Sequence, residues 1–339
     1  QASKLDNPHA QYQLARMIFN DPSSTPEQTA QALERLTKAA EAGQDCAQYA
    51  LGKIYRDGQG VEKDIQKAVA LFTLAATKEN SFAAFALGKL YLAGDAALPR
   101  DPAAALKWLT YAAELGNQFA QYRLGKLLLK GDDGIPKDVI TAIRWLTAAA
   151  KQENGYAEYV LALVYLTGED APKDSVKALS LLKRSAGRGN QFAQYRLGKL
   201  LLQGEDAPKD VKAAIRWLTA AAEQGNQYAQ YALGKLYLLG KEVPKDRSSA
   251  IKWFQLAADQ GNEYAQYFLK HMDDRLGQPP VAAVISLFHH LANIFQEQNQ
   301  PPPSGGVRVA VDRKLLRKIK AKKIAQGHKA DDHEPEMQL

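Results

Sequence analysis

Apolar and small residues along this chain recur at helical spacing, and the recurrence itself repeats. Within Asn117–Leu129, Ala120, Leu124, Leu127 and Leu128 stand at i, i+4, i+7 and i+8, which puts them on one face of a helix. Versions of this stretch return through most of the chain. Aligned on the alanine before the Gln-Tyr pair, the copies fall at Ala10, Ala47, Ala83, Ala120, Ala157, Ala193, Ala229 and Ala265, separated by 36 or 37 residues. A period of that length predicts a solenoid, in which no unit can bury its apolar face alone and each stacks on its neighbours.

Each unit reads as two helices. Helix A carries the anchor alanine, and Gly131 stops it in the fourth copy. Pro136-Lys137-Asp138 then opens helix B, with the aspartate as N-cap. The same punctuation returns at Pro99-Arg100-Asp101, Pro172-Lys173-Asp174, Pro208-Lys209-Asp210 and Pro244-Lys245-Asp246. Helix B of the fourth copy presents Ala142, Ile143, Trp145, Leu146, Ala149 and Ala150 and closes near Gln152. In other copies it ends at Gly116-Asn117, Gly189-Asn190, Gly225-Asn226 or Gly261-Asn262, glycine being the usual left-handed residue past a helix end. Glycine also stands inside helix A at Gly52, Gly88, Gly125, Gly198 and Gly234, with Ala162 in the fifth copy. Glycine there costs about 1 kcal/mol against alanine, so close approach of a neighbouring helix is expected in return. Trp108, Trp145, Trp217 and Trp253 share one repeat position, as packing between units requires, with Phe72 and Leu182 read as their replacements. The irregular loop Asp21–Pro26 marks the first unit as a degenerate cap.

Composition narrows the class. Hydrophobic residues at 46% and charged ones at 24% are ordinary for a folded protein, and no apolar run approaches the roughly 18 residues needed to span a bilayer. The single cysteine, Cys46, has no disulfide partner within the chain, which fits a reducing, cytoplasmic setting. A net charge of +7 suits an acidic partner. The chain opens Gln-Ala-Ser without an initiator methionine and reads as a piece of a longer protein.

These spacings resemble the Sel-one-like repeat family, a subclass of tetratricopeptide-type repeats, over roughly residues 5–272. The matching residues are Ala-x3-Leu-Gly-x2-(Tyr/Leu)-x2-Gly in helix A, then the helix-B aspartate, Trp-x3-Ala-Ala and Gly-Asn. The resemblance implies an all-α, right-handed solenoid of about eight antiparallel helix pairs, acting as a non-catalytic protein-interaction scaffold. It also implies that helix A lines the concave surface.

That implication gives one set of side chains a possible role. On a wheel of about 100° per residue, with the anchor alanine at zero, the leucine at +4 and glycine at +5 point at about 40° and 140°, and positions +2 and +6 at about 200° and 240°, away from the core. Those positions hold Tyr12 and Arg16, Tyr49 and Lys53, Phe85 and Lys89, Tyr122 and Lys126, Tyr159 and Leu163, Tyr195 and Lys199, Tyr231 and Lys235, and Tyr267 and His271, with Arg123 and Arg196 at +3. One reading is a groove that binds an extended anionic partner, either an acidic peptide or single-stranded nucleic acid. The other is that each tyrosine packs on the next unit and each lysine lies along it.

Nothing in the sequence marks catalysis. It contains no phosphate-binding glycine loop, no His-Glu-x-x-His and no Gly-x-Ser-x-Gly, and no cofactor is expected. His328 to Glu334 lies in a polar tail that fixes no ligand geometry, so no metal site is assigned.

Four segments are expected: the solenoid over 1–275, an amphipathic capping helix over 276–299, a Pro/Gly linker over 300–306 and a basic segment over 307–339, partly disordered. Val281, Val284, Ile285, Phe288, Leu291 and Phe295 form the face of the capping helix. In the basic segment Arg313, Lys314, Arg317, Lys318, Lys320, Lys322 and Lys323 surround Leu315, Leu316, Ile319 and Ile324, a composition that suits a docking helix, phosphate contact or a solvated surface. From His271-Met272-Asp273 through Phe288-His289-His290-Leu291 to Lys318–His328, the chain is similar to the C-terminal end of mobilisation relaxases of conjugative elements from gut Firmicutes. That similarity implies a conjugation role for the parent protein, and a catalytic domain upstream on the same polypeptide. It assigns no catalytic residue to this chain.

Overall fold

The structure is a computed structural model, described over residues 8–21, 23–131 and 134–272. Fifteen α-helices occupy the described residues, and no strand is found among them. They are α1 Pro8–Asn20, α2 Pro26–Glu41, α3 Asp45–Asp57, α4 Ile65–Ala76, α5 Ser81–Ala93, α6 Pro102–Glu114, α7 Gln118–Lys130, α8 Val139–Lys151, α9 Gly155–Thr167, α10 Ser175–Gly187, α11 Gln191–Gln203, α12 Val211–Glu223, α13 Gln227–Leu239, α14 Arg247–Asp259 and α15 Glu263–Met272. The chain falls into two compact units, the first running to Ala257 and the second beginning at Ala258. Of the second unit, α15 is capped by Asn262, whose side chain accepts from Ala265 N–H at 3.0 Å. The expected capping helix, linker and basic segment, and the tail from His328 to Glu334, lie outside the described residues.

In the first unit the repeats from the second onward are built from the same hydrogen bonds, whereas α2 of the first is capped by Thr25 in a capping box with Gln28. Asn80, Asn117, Asn154, Asn190 and Asn226 N-cap the A helices by accepting from the N–H of the anchor alanine, and Gln44 does the same for α3. The Gly-Asn that closes helix B therefore also opens the next helix A. The residue before the cap is left-handed: Gly43, Gly116, Gly189 and Gly225, but Glu79 and Glu153 in two repeats. Asp101, Asp138, Asp174, Asp210 and Asp246 cap the B helices as expected, and Asp64, which no proline precedes, does the same. The N–H groups of Asp64, Asp101, Asp138, Asp174 and Asp210 donate back to helix A, to the carbonyls of Tyr55, Tyr91, Leu128, Tyr165 and Leu201, at 2.9 Å. Asn190 reaches further, its amide donating to Gly155 O at 3.4 Å in the preceding helix A. Asn190→Ala is expected to cost about 1 kcal/mol, measured by urea unfolding, and to raise amide exchange first in α11.

The interior is alanine at the helix crossings and leucine or phenylalanine between them. Phe72, Leu109, Leu146, Leu182, Leu218 and Phe254 are fully buried. These side chains explain the helix-A glycines: a Cβ on Gly52, Gly88, Gly125, Gly198 or Gly234 would come within 2.6–2.8 Å of Phe72, Leu109, Leu146, Leu218 or Phe254 of the same repeat's helix B. The alignment of the tryptophans needs correction by one residue. Counted from the buried alanines Ala68, Ala142 and Ala178, the tryptophan position is held by Leu71 and Leu181. Phe72 and Leu182 belong with the fully buried Leu146 one place on. The tryptophans themselves are only half-buried, packed on the rim of the apolar clusters.

Polar contacts stitch repeat to repeat. The lysines of the helix-B entry loops reach acids in the following loop: Lys63 to Asp95 at 2.7 Å, Lys137 to Asp170 at 2.6 Å, Lys173 to Asp206 at 2.8 Å and Lys209 to Glu242 at 2.8 Å. Being exposed, each contributes about 0–1 kcal/mol. Deeper in, Gln48, Gln121, Gln194 and Gln230, one place past the anchor alanine, donate to the carbonyls of Ala40, Ala113, Ala186 and Ala222 at 3.0–3.1 Å. Gln152 and Gln224 donate in turn to Gln121 and Gln194, at 2.8 Å. Repeat five replaces this pair with charge. Glu158 is 0% exposed and meets the Arg184 guanidinium at 2.6 Å and Arg188 Nε at 3.4 Å.

Candidate partner-binding face

The helix-A residues singled out by the wheel are brought to one side of their helices, but the aromatics do not stand free. Tyr122 keeps 9% of its surface, and Tyr49, Phe85, Tyr159, Tyr195 and Tyr231 are half-buried. Each of the first five meets the aromatic just before the next anchor alanine: Tyr49 and Phe82 at 6.3 Å between ring centres, Phe85 and Phe119 at 6.5 Å, Tyr122 and Tyr156 at 6.0 Å, Tyr159 and Phe192 at 6.2 Å, and Tyr195 and Tyr228 at 6.1 Å. The ring contacts are those of the second reading, in which each aromatic packs on the next unit, so the column faces away from its own repeat's core and toward the following repeat. A single-helix wheel knows one buried side, whereas a stacked array buries a second one against the following repeat. The second aromatic column was missed, although six consecutive copies show it in sequence, from Phe82 to Tyr264.

The cations stand around these rings. Lys126 is exposed, and Lys53, Lys89, Lys199, Lys235, Arg123 and Arg196 are half-buried. Lys89 lies along its own helix, its ammonium 5.6 Å from the centre of the Phe85 ring. Positive charge gathers most closely in repeats six and seven. Burial, then the adjoining Arg196, holds the Lys199 ammonium below the usual lysine value. Burial, then Lys199 and Lys241, does the same to Lys235. Burial likewise pushes the phenols of Tyr159 and Tyr195 up, against the pull of Arg196. The buried Nε of Arg196 has no hydrogen-bond partner, and the nearby Asp206 is engaged by Lys173 and Ser175. Beside this cluster Phe192 and Tyr228 keep 36% and 47% of their surface. An aromatic edge beside crowded like charges is suited to holding an anionic chain.

Other chemistry is sparse among the described residues. No three His, Cys, Asp or Glu side chains gather to hold a metal ion there, and no helix is long and apolar enough to cross a membrane. Cys46 is half-buried, and burial pushes its thiol up, away from reactivity. The proposed basic-tail residues Arg313 to Lys323 lie outside the described residues.

Seven consecutive stretches, residues 8–44, 47–80, 81–117, 118–154, 155–190, 191–226 and 227–262, match the Sel1 repeat. The chain belongs to the Sel1 repeat family. Its fold is similar to that of c5321, a protective antigen present in uropathogenic Escherichia coli strains, with a TM-score of 0.69 and 34% identity over 82% of this chain and 59% of that one. This chain thus spans about three-fifths of that protein's length. A Sel1 repeat protein from Oxalobacter formigenes is similar with a TM-score of 0.64 and 26% identity over 74% of this chain and 96% of that one. Comparison with curated proteins finds no match. The Sel1 match ends at residue 262, so the eighth copy, with Ala265 in α15, falls beyond it. Sel1 repeats mediate protein–protein interaction, and the fold is typically non-catalytic.

Proposed function

We propose that this Sel1 array is a non-catalytic scaffold whose helix-A face takes an extended acidic segment of another protein. The gathering of Arg196, Lys199 and Lys235 carries the reading. These cations lie beside the exposed rings of Phe192 and Tyr228, and a surface that combines positive charge with aromatic edges attracts a partner of opposite charge. An extended acidic chain fits, because the charges are supplied one repeat at a time along the array. The similarity of the C-terminal segment to mobilisation relaxases supports placing the module in a conjugation or mobilisation protein, with its partner in the DNA-transfer machinery. Single-stranded DNA is a second reading, supported by the exposed edges of Phe192 and Tyr228 beside the cations.

Fluorescence anisotropy with a labelled poly-glutamate peptide tests the site. The double variant Lys199→Glu, Lys235→Glu is expected to weaken binding at least tenfold at low salt. Unchanged affinity would remove the helix-A face from the account. A parallel titration with labelled oligo-dT at the same salt concentrations separates the two readings: tighter binding of the peptide supports the acidic segment, and tighter binding of oligo-dT supports nucleic acid.

A further inference from the structure

The row of cations along the helix-A face breaks once. At +6 it runs Lys53, Lys89, Lys126, then Leu163, then Lys199 and Lys235, and at +3 Val160 stands between Arg123 and Arg196. Repeat five therefore presents Tyr159, Val160 and Leu163, all half-buried, with Arg123 and Lys126 on one side and Arg196 and Lys199 on the other. Ring contacts on both sides fix this order in space, Tyr156 against Tyr122 at 6.0 Å and Phe192 against Tyr159 at 6.2 Å. Arg196 stands close enough for its charge to act on the Tyr159 hydroxyl.

Packed helices lie about 8–10 Å apart and an extended chain advances about 3.3 Å per residue, so one repeat corresponds to about three residues of ligand. We propose that this face recognises an extended peptide with one bulky apolar side chain, seated on Tyr159, Val160 and Leu163, and acidic residues about three positions to either side. The proposal rests on the reading of the face as a site for an acidic partner, and adds the apolar step that names the kind of peptide. Charge complementarity selects this occupant. A polynucleotide brings a phosphate to every step and would set charge against Leu163, with no cation to meet it.

Four labelled probes test the proposal by anisotropy: a peptide with a central phenylalanine between glutamate pairs, the same peptide with central alanine, the same with glutamine in place of glutamate, and oligo-dT. The protein is expected to bind the phenylalanine peptide about tenfold more tightly than the alanine peptide, and the glutamine peptide weakly. Leu163→Lys installs the residue that five other repeats carry at this position, and is expected to erase the phenylalanine preference while keeping or raising affinity for the alanine peptide. Equal affinity of the unaltered protein for the phenylalanine and alanine peptides, with Lys199→Glu, Lys235→Glu still weakening both, overturns the apolar step and leaves the acidic-partner reading standing. No binding of either acidic peptide overturns both. Tighter binding of oligo-dT than of the phenylalanine peptide overturns the proposal in favour of nucleic acid.

Discussion

Gly198→Val is expected to destabilise the array by about 3 kcal/mol, the upper part of the range for overpacking a well-filled interior. A Cβ at Gly198 would lie 2.7 Å from Leu218 Cγ and 3.0 Å from the Ala214 carbonyl oxygen. The leucine can turn aside, but the carbonyl belongs to the backbone of α12, so the helices must separate. Two methyl groups on that Cβ add to the displacement and restrict χ1 within the helix. Gly198→Ala should lose far less, because the helix gains about 1 kcal/mol of propensity. Repeat five already houses Ala162 at this position, fully buried. Urea unfolding of both variants checks the contrast. In an array whose stability is a sum over neighbours, exchange protection should fall first in α11 and α12. Equal stability of the valine variant and the original would show that α11 and α12 do not pack as described.

The second large effect concerns the charged pair of repeat five. Removing both arginines, by Arg184→Ala with Arg188→Ala, strands the buried Glu158 carboxylate, a loss of about 3 kcal/mol. Glu158→Gln should instead be neutral or stabilising. Glutamine holds the equivalent position in Gln121 and Gln194 and donates there to an alanine carbonyl, and Ala150 O, which already accepts from Arg184 at 3.3 Å, has a second lone pair for the same bond in repeat five. The arginines left behind lose little, since Arg184 is 49% exposed and water can follow it. The pH dependence has a definite sign. Burial raises the Glu158 pKa despite both arginines, so the folded state holds this proton more tightly than the unfolded one. Its contribution to stability is greatest below the ordinary glutamate value, about 4.3, and is lost as pH rises from there through the folded value. The double arginine variant should widen that window upward and Glu158→Gln should abolish it, both readable from thermal unfolding across pH.

The architecture was legible because it is written many times over. The 36- or 37-residue period, the capping aspartates and the internal glycines each have a local cause, and repetition averages out local noise. The same regularity hid what is shared between repeats. Asn117 and its equivalents read as helix ends because Gly-Asn is a stop signal, but the asparagine side chain works for the following helix. The wheel leaves Tyr122 open between a groove and a contact with the next unit, because it contains one helix and the partner Tyr156 belongs to the next repeat. Glu158 was invisible for a different reason. One carboxylate among many marks nothing until Arg184 and Arg188 are seen to close over it, which requires the fold. For the face itself, sequence supplied the cations and the ring column, and the structure added which of them crowd together.

The placement of Glu158 and both its arginines within one copy bears on how such an array changes over generations. Glu158, Arg184 and Arg188 all fall within residues 155–190, with Arg188 also meeting Glu153 and Arg184 also donating to Ala150 O of the preceding copy, and the copies on either side carry the matching glutamine network. Loss of those 36 residues by unequal recombination would bring Gln194 to the carbonyl of Ala150 and join Asn154 to α11 at an ordinary repeat boundary. The shortened gene would encode an intact fold with an unbroken row of cations. If the helix-A face selects its ligand as proposed, that preference is a trait that a single deletion can remove without passing through a misfolded ancestor.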